Sequence, residues 1–113
     1  MSDFKAISRV ALTMIPKEAF VTLLNKAFPE NTTTLNTVYA EGFQVYLVPN
    51  FEEEAKANAY LRRIAKPILE QEFESWKIPK EFWPETLDSA LLLELFEYDA
   101  SVGLFDTITA AKK

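Results

Sequence analysis

The longest regular pattern of apolar and polar positions runs from Asn50 to Trp76. Charged residues fill one side of this stretch, and apolar residues recur at steps of three to five positions: Ala57, Leu61, Ile64, Ile68, Phe73 and Trp76. Such spacing places the apolar residues on one face of an α-helix. Asn50 is a suitable N-cap, and Glu53 stands where a capping-box glutamate is found. The pattern therefore predicts a long amphipathic helix over residues 50–76.

Pro67 lies inside this predicted helix. Proline lacks an N–H group, and its ring clashes with the preceding turn, at a cost of about 3 kcal/mol in a regular helix. Either one helix kinks near residue 63, or two helices meet and Pro67 is the first residue of the second. We favour the kink, because the apolar pattern continues through the proline.

Helical spacing also predicts two shorter helices in the first part of the chain. Residues 3–15 form the first, because Ile7, Val10 and Met14 recur at helical steps. Pro16 ends it, since the residue before a proline avoids the helical region. A second helix follows and ends before Pro29. Its predicted buried face consists of Ala19, Phe20, Leu23, Leu24 and Ala27.

The period of the pattern changes after residue 34. Residues 35–40 and 43–48 each alternate with period two and are rich in Thr, Val, Tyr and Phe, which favour strands. Glu41-Gly42 stands between them as a turn. The sequence therefore predicts a β-hairpin near residues 35–48, packed on the helices because an isolated hairpin is marginal in water.

The last third of the chain begins with a constrained loop or single helical turn at residues 77–85, between Pro79 and Pro84. Residues 87–97 are predicted as a strongly apolar core helix, with Thr86 or Asp88 as its cap. A break at Gly103 follows. The apolar residues around that break could form a third strand beside the hairpin or dock as irregular coil.

These elements predict the α+β class, dominated by four to five helices with one β-hairpin; the alternative is an all-α fold. Only two glycines occur in 113 residues, which argues against a many-turned β-sandwich or barrel. The length and the 49% hydrophobic share fit one globular domain over residues 1–113.

The residue inventory excludes several kinds of chemistry. The chain has no histidine and no cysteine, so no imidazole base, thiol nucleophile, disulfide or His/Cys metal site can form. Two glycines cannot supply a P-loop or a dinucleotide fingerprint. We therefore expect no cofactor and no metal, and we favour a protein that is not an enzyme.

Carboxylate chemistry stays open as an alternative. Glu70 and Glu74, or Glu94 and Glu97, are spaced to share a helix face, where a solvated polar face is the commoner explanation. A small ligand-binding protein or enzyme of this kind would combine a Glu or Asp with Arg62 or Arg63 and with a tyrosine. The candidate tyrosines are Tyr39, Tyr46 and Tyr98.

Charge and hydropathy bear on the location of the protein and on its contact with nucleic acids and membranes. A net charge of −5 argues against direct binding to a nucleic-acid backbone. No apolar run approaches the roughly 20 residues of a membrane span, and the first residues lack the pattern of a signal peptide. We expect a soluble, cytoplasmic protein without membrane contact.

The candidate binding residues are aromatic and basic. Trp76, Phe82 and Trp83 lie close together in sequence near two prolines, and large aromatic side chains often anchor protein interfaces. The alternative is that they close the end of the core. Arg62 and Arg63 form a basic spot that could receive a phosphate or an acidic segment.

These observations favour a small acidic, non-catalytic protein-interaction or assembly protein, with a homodimer as one possible form. An acidic inhibitor of the immunity-protein or antitoxin type, occupying a basic site, is the nearest alternative.

Overall fold

A computed structural model describes residues 5–106 of the 113-residue chain. Within this range the protein has four α-helices, a three-stranded antiparallel sheet and a two-stranded one, which confirms the α+β class and excludes the all-α alternative. The elements in chain order are β1 (Lys5–Ile7), β2 (Val10–Pro16), α1 (Glu18–Ala27), α2 (Leu35–Ala40), β3 (Val45–Val48), α3 (Glu54–Ser75), a 3₁₀ turn (Lys80–Phe82), α4 (Ser89–Leu95), β4 (Phe96–Ser101) and β5 (Leu104–Asp106).

Strand β2 is the centre of the larger sheet, whose order is β3–β2–β4. Leu12, Met14 and Pro16 are buried at alternate positions, as a half-covered strand requires. The helix predicted for residues 3–15 is therefore wrong over the described residues 5–15; residues 3 and 4 lie outside them. The spacing of apolar residues there fits both periods, and β-branched Val10, Thr13 and Ile15 favour the strand.

Pro16 ends β2 without costing a sheet hydrogen bond. The Met14 N–H donates towards the β3 side, to the Gln44 carbonyl at 3.1 Å, and the Lys17 N–H donates towards the β4 side, to the Leu95 carbonyl at 2.8 Å. Alternate residues of a strand face the same neighbour, so position 16 faces the β3 side. β3 begins only opposite Thr13, and a missing N–H at Pro16 therefore leaves no described strand residue unpaired.

The predicted hairpin is only partly formed. Residues 45–48 form strand β3, which pairs with β2, but residues 35–40 form helix α2, so the prediction of a strand there is wrong. Thr34 caps this helix by accepting a hydrogen bond from the Thr37 N–H at 3.3 Å. Val38 is completely buried, and six alternating residues are too few to distinguish a strand from two helical turns.

The long central helix forms as one element. α3 continues through Pro67, so the alternative of two helices is wrong. Its N-cap is Glu53, and the predicted cap at Asn50 is also wrong. The described α3 is shorter than the predicted range by a few residues at its start, where Pro49 and Phe51 lead out of β3.

The last predicted helix is also shorter than expected. α4 begins after Asp88, whose Oδ1 accepts a hydrogen bond from the Leu91 N–H at 2.9 Å, and it ends at Leu95. Phe96 then begins β4, which pairs with β2. Just after Gly103, Leu104–Asp106 form β5, which pairs with β1 and not with the segment predicted as a hairpin. The predicted helical turn between Pro79 and Pro84 is confirmed as the 3₁₀ turn.

Gly103 lies at a change of register between the two sheets. Ile7 is opposite Leu104, and Ala11 is opposite Ser101, so the N-terminal side holds one extra residue between these pairs. This is a β-bulge. Gly103 has φ +74°, a left-handed conformation that suits glycine.

The core lies between one face of the sheet and the helices. Phe20 on α1 is its centre: its ring lies 4.8 Å from Phe96, 5.9 Å from Trp76 and 6.5 Å from Phe73. The predicted face of α1 is confirmed, with Phe20, Leu24 and Ala27 buried. The other face of the sheet is uncovered at β3, where Val45 and Leu47 are 54% and 59% exposed.

Candidate functional site

The predicted aromatic residues line the edge of the core. Trp76, Phe82 and Trp83 are partly buried and pack against it. The Trp83 ring lies 5.3 Å from that of Phe73, and its Nε1 donates a hydrogen bond to the Ile78 carbonyl at 2.8 Å. These contacts give the side chains a structural role, and their role in partner binding stays a prediction.

The two predicted arginines lie elsewhere. Arg62 and Arg63 are exposed, and the guanidinium of Arg63 lies 5.4 Å from the centre of the Tyr60 ring. Along α3, Arg63 is separated from Trp76 by about 20 Å at 1.5 Å per residue. The aromatic and basic residues therefore do not form one site.

A buried acid on α3, Glu72, was absent from the predicted site. The buried side of α3 consists of Ala65, Ile68, Leu69, Glu72 and Phe73. Glu72 is only 2% exposed and is the one buried charged residue among the described part of the chain. Its position four residues after Ile68 and four before Trp76 is the signal that could have found it, because the helical pattern reserves that position for an apolar side chain.

Tyr46 on β3 is the hydrogen-bond partner of Glu72. Its hydroxyl donates to Glu72 Oε2 at 2.6 Å and lies 3.3 Å from Gln44 Oε1. This tyrosine was one of the predicted candidates for carboxylate chemistry, although with an arginine as the expected companion. The structure brings Tyr46 to Glu72, which lies on α3 between Glu70 and Glu74 but belongs to neither predicted carboxylate pair.

The predicted carboxylate pairs do not form sites. Glu70 is half-buried and Glu74 is exposed on α3. Glu94 and Glu97 are both exposed and belong to different elements, α4 and β4. Among the described residues, no group of three or more Asp or Glu side chains is placed to hold a metal ion.

An open pocket of ≈ 310 Å³ lies beside Glu72. It is bounded by β2, by the segment that leads into β3 and by the end of α3; its lining residues are Met14, Pro16, Glu41, Gly42, Phe43, Gln44, Glu72, Ser75 and Trp76. We call this the Glu72 pocket. Gly42 has φ +87°, which turns the chain from α2 into the segment that forms the rim.

Glu72 lines this pocket, and only one of its two carboxylate oxygens, Oε2, is hydrogen-bonded to a described group. No described side chain or backbone N–H donates a hydrogen bond to Oε1, whereas every fully buried side-chain oxygen and nitrogen in the described chain has a partner. Oε1 is therefore not fully buried, and the pocket is the open space that Glu72 lines. One oxygen is held by Tyr46, and the other has no described hydrogen-bond partner.

The surroundings of Glu72 perturb its ionisation. Burial removes water from the carboxylate and raises the pKa of Glu72, while the hydrogen bond from Tyr46 acts in the opposite direction. The pKa of Tyr46 is raised by its own burial and then by the hydrogen bond and negative charge of Glu72. Tyr46 thus remains a donor over the physiological pH range.

The only charged side chains among the described residues that line the pocket are acidic. Glu41 is the other titratable lining residue; β2 contributes uncharged Met14 and Pro16, and no Lys or Arg is among the described lining residues. A carboxyl group held without a counter-charge in such a place favours any ligand that supplies positive charge.

No helix among the described residues is long and apolar enough to cross a membrane. Comparisons of the chain with models of known protein families, with curated proteins and with solved structures find no match.

Proposed function

We propose that this protein is a non-catalytic binding protein whose Glu72 pocket receives a cationic group, the ammonium or guanidinium of a partner protein's Lys or Arg side chain. The observation that carries the proposal is a buried carboxyl group with one oxygen fixed by Tyr46 and the other open to an acidic pocket.

The energetic argument follows from the burial of Glu72. An ionised carboxylate out of water is costly unless it is paired. Tyr46 satisfies only one oxygen, and a cation at the other would supply both a hydrogen-bond donor and the missing charge. Hydrogen bonds to charged groups contribute about 1.5–3 kcal/mol each, which makes Glu72 the dominant contact in the pocket.

The size and the rim of the pocket suit one long side chain. A volume of ≈ 310 Å³ is at the small end of the range for ligand pockets. Phe43 and Trp76 contribute aromatic surface, which attracts cations and packs against the aliphatic stem of a lysine or arginine. Phe43 is held at the rim by edge contact with the Tyr39 ring, at 5.3 Å between centroids.

The proposal fits the other properties of the chain. A net charge of −5 attracts basic partners and speeds their association. It is compatible with the acidic inhibitor suggested by the sequence and with a cytoplasmic location for a chain without cysteine. Self-association is not required by the proposal and stays a prediction.

The test measures binding of Nα-acetyl-lysine methylamide to the ¹⁵N-labelled protein by NMR. We expect a Kd of about 1 mM, with amide shifts at residues 41–44 and 72–76, and no comparable binding of the uncharged norleucine analogue. A titration with free n-butylammonium shows whether the pocket prefers a lysine within a polypeptide chain or a free alkylammonium ion. A lysine within a chain should bind more tightly than the free amine if the rim contacts its backbone.

Two variants make this test specific. Glu72→Gln keeps the shape of the side chain and should weaken binding about tenfold or more, since about 1.4 kcal/mol is a factor of ten. Glu74→Gln removes the same charge from an exposed position on α3 and should leave Kd nearly unchanged. Equal weakening in both variants would show that general charge, not the pocket, binds the cation.

The pH dependence gives a further check of sign. A bound cation favours the ionised carboxylate, so binding should strengthen as the pH rises through the pKa of Glu72. A ligand that instead accepts a hydrogen bond from the protonated acid would bind more tightly at low pH. That result would refute the cationic ligand and indicate a pocket for uncharged hydrogen-bond acceptors.

A further inference from the structure

The outer edge of β4 is the longest free strand edge in the larger sheet. β4 has six residues and pairs with β2 on one side; on its other side no described strand pairs with it. Glu97, Tyr98, Asp99 and Ala100 are all exposed. An exposed edge of this length is a template for another strand unless something blocks it.

The hydrogen-bond phase of the sheet identifies which groups are free. The Lys17 N–H donates to the Leu95 carbonyl at 2.8 Å, in the same register as the β2–β4 pairs. Alternate pairs are hydrogen-bonded in an antiparallel ladder, so Glu97 and Asp99 direct their backbone groups towards β2. The N–H and C=O groups of Tyr98 and Ala100 therefore point outward, away from the sheet.

The side chains of β4 divide between the two faces. Tyr98 is opposite Met14 and Ala100 is opposite Leu12, on the face that the helices cover. Glu97 and Asp99 consequently lie on the uncovered face. The one ion pair within the described part of the chain joins Lys56 and Glu53, so neither acid on β4 has a described counter-charge.

An apolar groove of ≈ 270 Å³ lies on the helix side, next to β4. Tyr98 and Ala100 lie on its sheet side together with residues of β2 and β3, and Tyr60, Leu61 and Ile64 of α3 are among the residues on its helix side. A strand added to the edge of β4 would direct every second side chain towards this groove. The side chains of the added strand that face the groove would be apolar. The side chains between them would lie beside Glu97 and Asp99.

A second copy of the chain does not fit this edge well. When β4 of one copy pairs antiparallel with β4 of a second copy, two registers pair most of the strand and let the outward backbone groups form hydrogen bonds. The first register is centred on Tyr98 and places Glu97 of each copy opposite Asp99 of the other. The second is centred on Asp99 and places the two copies of Asp99 opposite each other. Like charges directly opposite each other destabilise a strand pair.

We propose that the outer edge of β4 binds an extended segment of a partner protein in which Lys or Arg alternates with apolar residues. The partner's backbone pairs with the outward groups of Tyr98 and Ala100, and its basic side chains lie beside Glu97 and Asp99. Its apolar side chains face the groove. This mode is strand addition, in which the main chain supplies affinity and the alternate side chains supply specificity. The surface lies across β2 from β3 and its Tyr46, so the inference does not rest on the Glu72 pocket.

The test is an NMR titration of the full-length ¹⁵N-labelled protein with a capped peptide of sequence Thr-Lys-Val-Lys-Val-Lys-Thr. We expect the amides of Tyr98 and Ala100 to shift and to exchange with solvent about tenfold more slowly when the peptide is bound. Affinity should fall several-fold between about 50 and about 300 mM NaCl, because the charges are exposed. A peptide with Glu in place of Lys should not bind.

Two sets of variants test the geometry. Ala100→Pro removes an outward N–H and leaves the hydrogen bonds to β2 intact, so the fold should persist while binding is lost. Ala100→Ser retains the N–H and should bind normally. The double variant Glu97→Lys and Asp99→Lys should reverse the preference and bind the Glu peptide.

Several results would overturn the inference. They are equal binding of both peptides, shifts confined to β3, undiminished binding by Ala100→Pro, or no binding of the Lys peptide at millimolar concentration. If Ala100→Pro does not fold, the charge-reversed variant decides: failure to exchange one peptide for the other rejects the β4 edge as the binding surface.

Discussion

The change Tyr46→Phe tests the hydrogen bond on which the Glu72 site depends. It removes one hydroxyl and leaves the ring in place. When Glu72 is protonated, the variant loses a hydrogen bond between neutral groups, which contributes about 1 kcal/mol to stability. When Glu72 is ionised, the lost hydrogen bond has a charged acceptor and contributes about 2 kcal/mol. The 2.6 Å distance and the burial of Glu72 place this bond among the stronger ones.

The cost of Tyr46→Phe should therefore rise with pH. Because burial raises the pKa of Glu72 above its ordinary value, the acid is mainly neutral in the folded protein near pH 4.5. The hydrogen bond from Tyr46 lowers that pKa, so its removal raises the pKa further. Destabilisation should grow by about 1 kcal/mol as the pH rises through the interval between the two folded-state pKa values.

Urea unfolding followed by tryptophan fluorescence measures this difference at pH 4.5 and at pH 9. Tyr39→Phe is the matched control, since Tyr39 is 38% exposed and its hydroxyl has no hydrogen bond within the described chain. In a protein that carries Glu72→Gln the titrating carboxyl is absent. The destabilisation caused by Tyr46→Phe in that protein should therefore not depend on pH. A cost of Tyr46→Phe that is equal at both pH values refutes the account of this pair.

The direction in which the stability of the wild-type protein changes with pH follows from the same pKa. A raised folded-state pKa of an acid means that the folded protein holds its proton to higher pH than the unfolded chain does. The contribution of Glu72 to stability is thus greatest at low pH and falls as the pH rises from about 4.5 through the folded-state pKa. Glu72→Gln should remove this part of the pH profile.

Four further substitutions, one of them a control, test the fold. Phe73→Ala should lower the free energy of unfolding by about 3–5 kcal/mol, because the ring is fully buried, whereas Leu93→Ala at an exposed position of α4 should cost less than about 1 kcal/mol; similar costs would mean that the core is misplaced. Asp88→Ala should cost about 1 kcal/mol through loss of the α4 cap, seen as a lower urea midpoint, and an unchanged midpoint would contradict the cap. Gly103→Ala should cost about 1–2 kcal/mol from its left-handed backbone alone, because its Cβ would meet no atom within 4 Å. A more stable variant in the same assay would contradict the left-handed conformation of Gly103.

The fold could be predicted where the pattern was long. α1 and α3 have enough turns for helical spacing to be distinctive, and the capping position of Asp88 was one of two proposed. Short segments failed: residues 35–40 fit a strand as well as a helix, and residues 10–16 fit a helix as well as a strand. Their state is decided by partners distant in sequence, as β2 shows by pairing with both β3 and β4.

The site was harder to predict because its parts come from different elements. Tyr46 was a candidate, but its partner depended on the way α3 lies over β3. Glu72 was hidden by its neighbours, since several other glutamates occur on the same helix and exposure is their usual state. The aromatic residues near Trp83 stand out in the sequence, and at least part of their role is to pack against the core: Trp83 contacts Phe73 and Ile78.

The most direct measurement of the central claim is the pKa of Glu72, obtained by a ¹³C NMR titration of its side-chain carboxyl with and without Nα-acetyl-lysine methylamide. We expect a pKa above the ordinary 4.5 in the free protein and a clear decrease when the cation is added. A pKa at or below the ordinary value in the free protein, or one that the cation leaves unchanged, would contradict a buried carboxyl group that serves as a cation site.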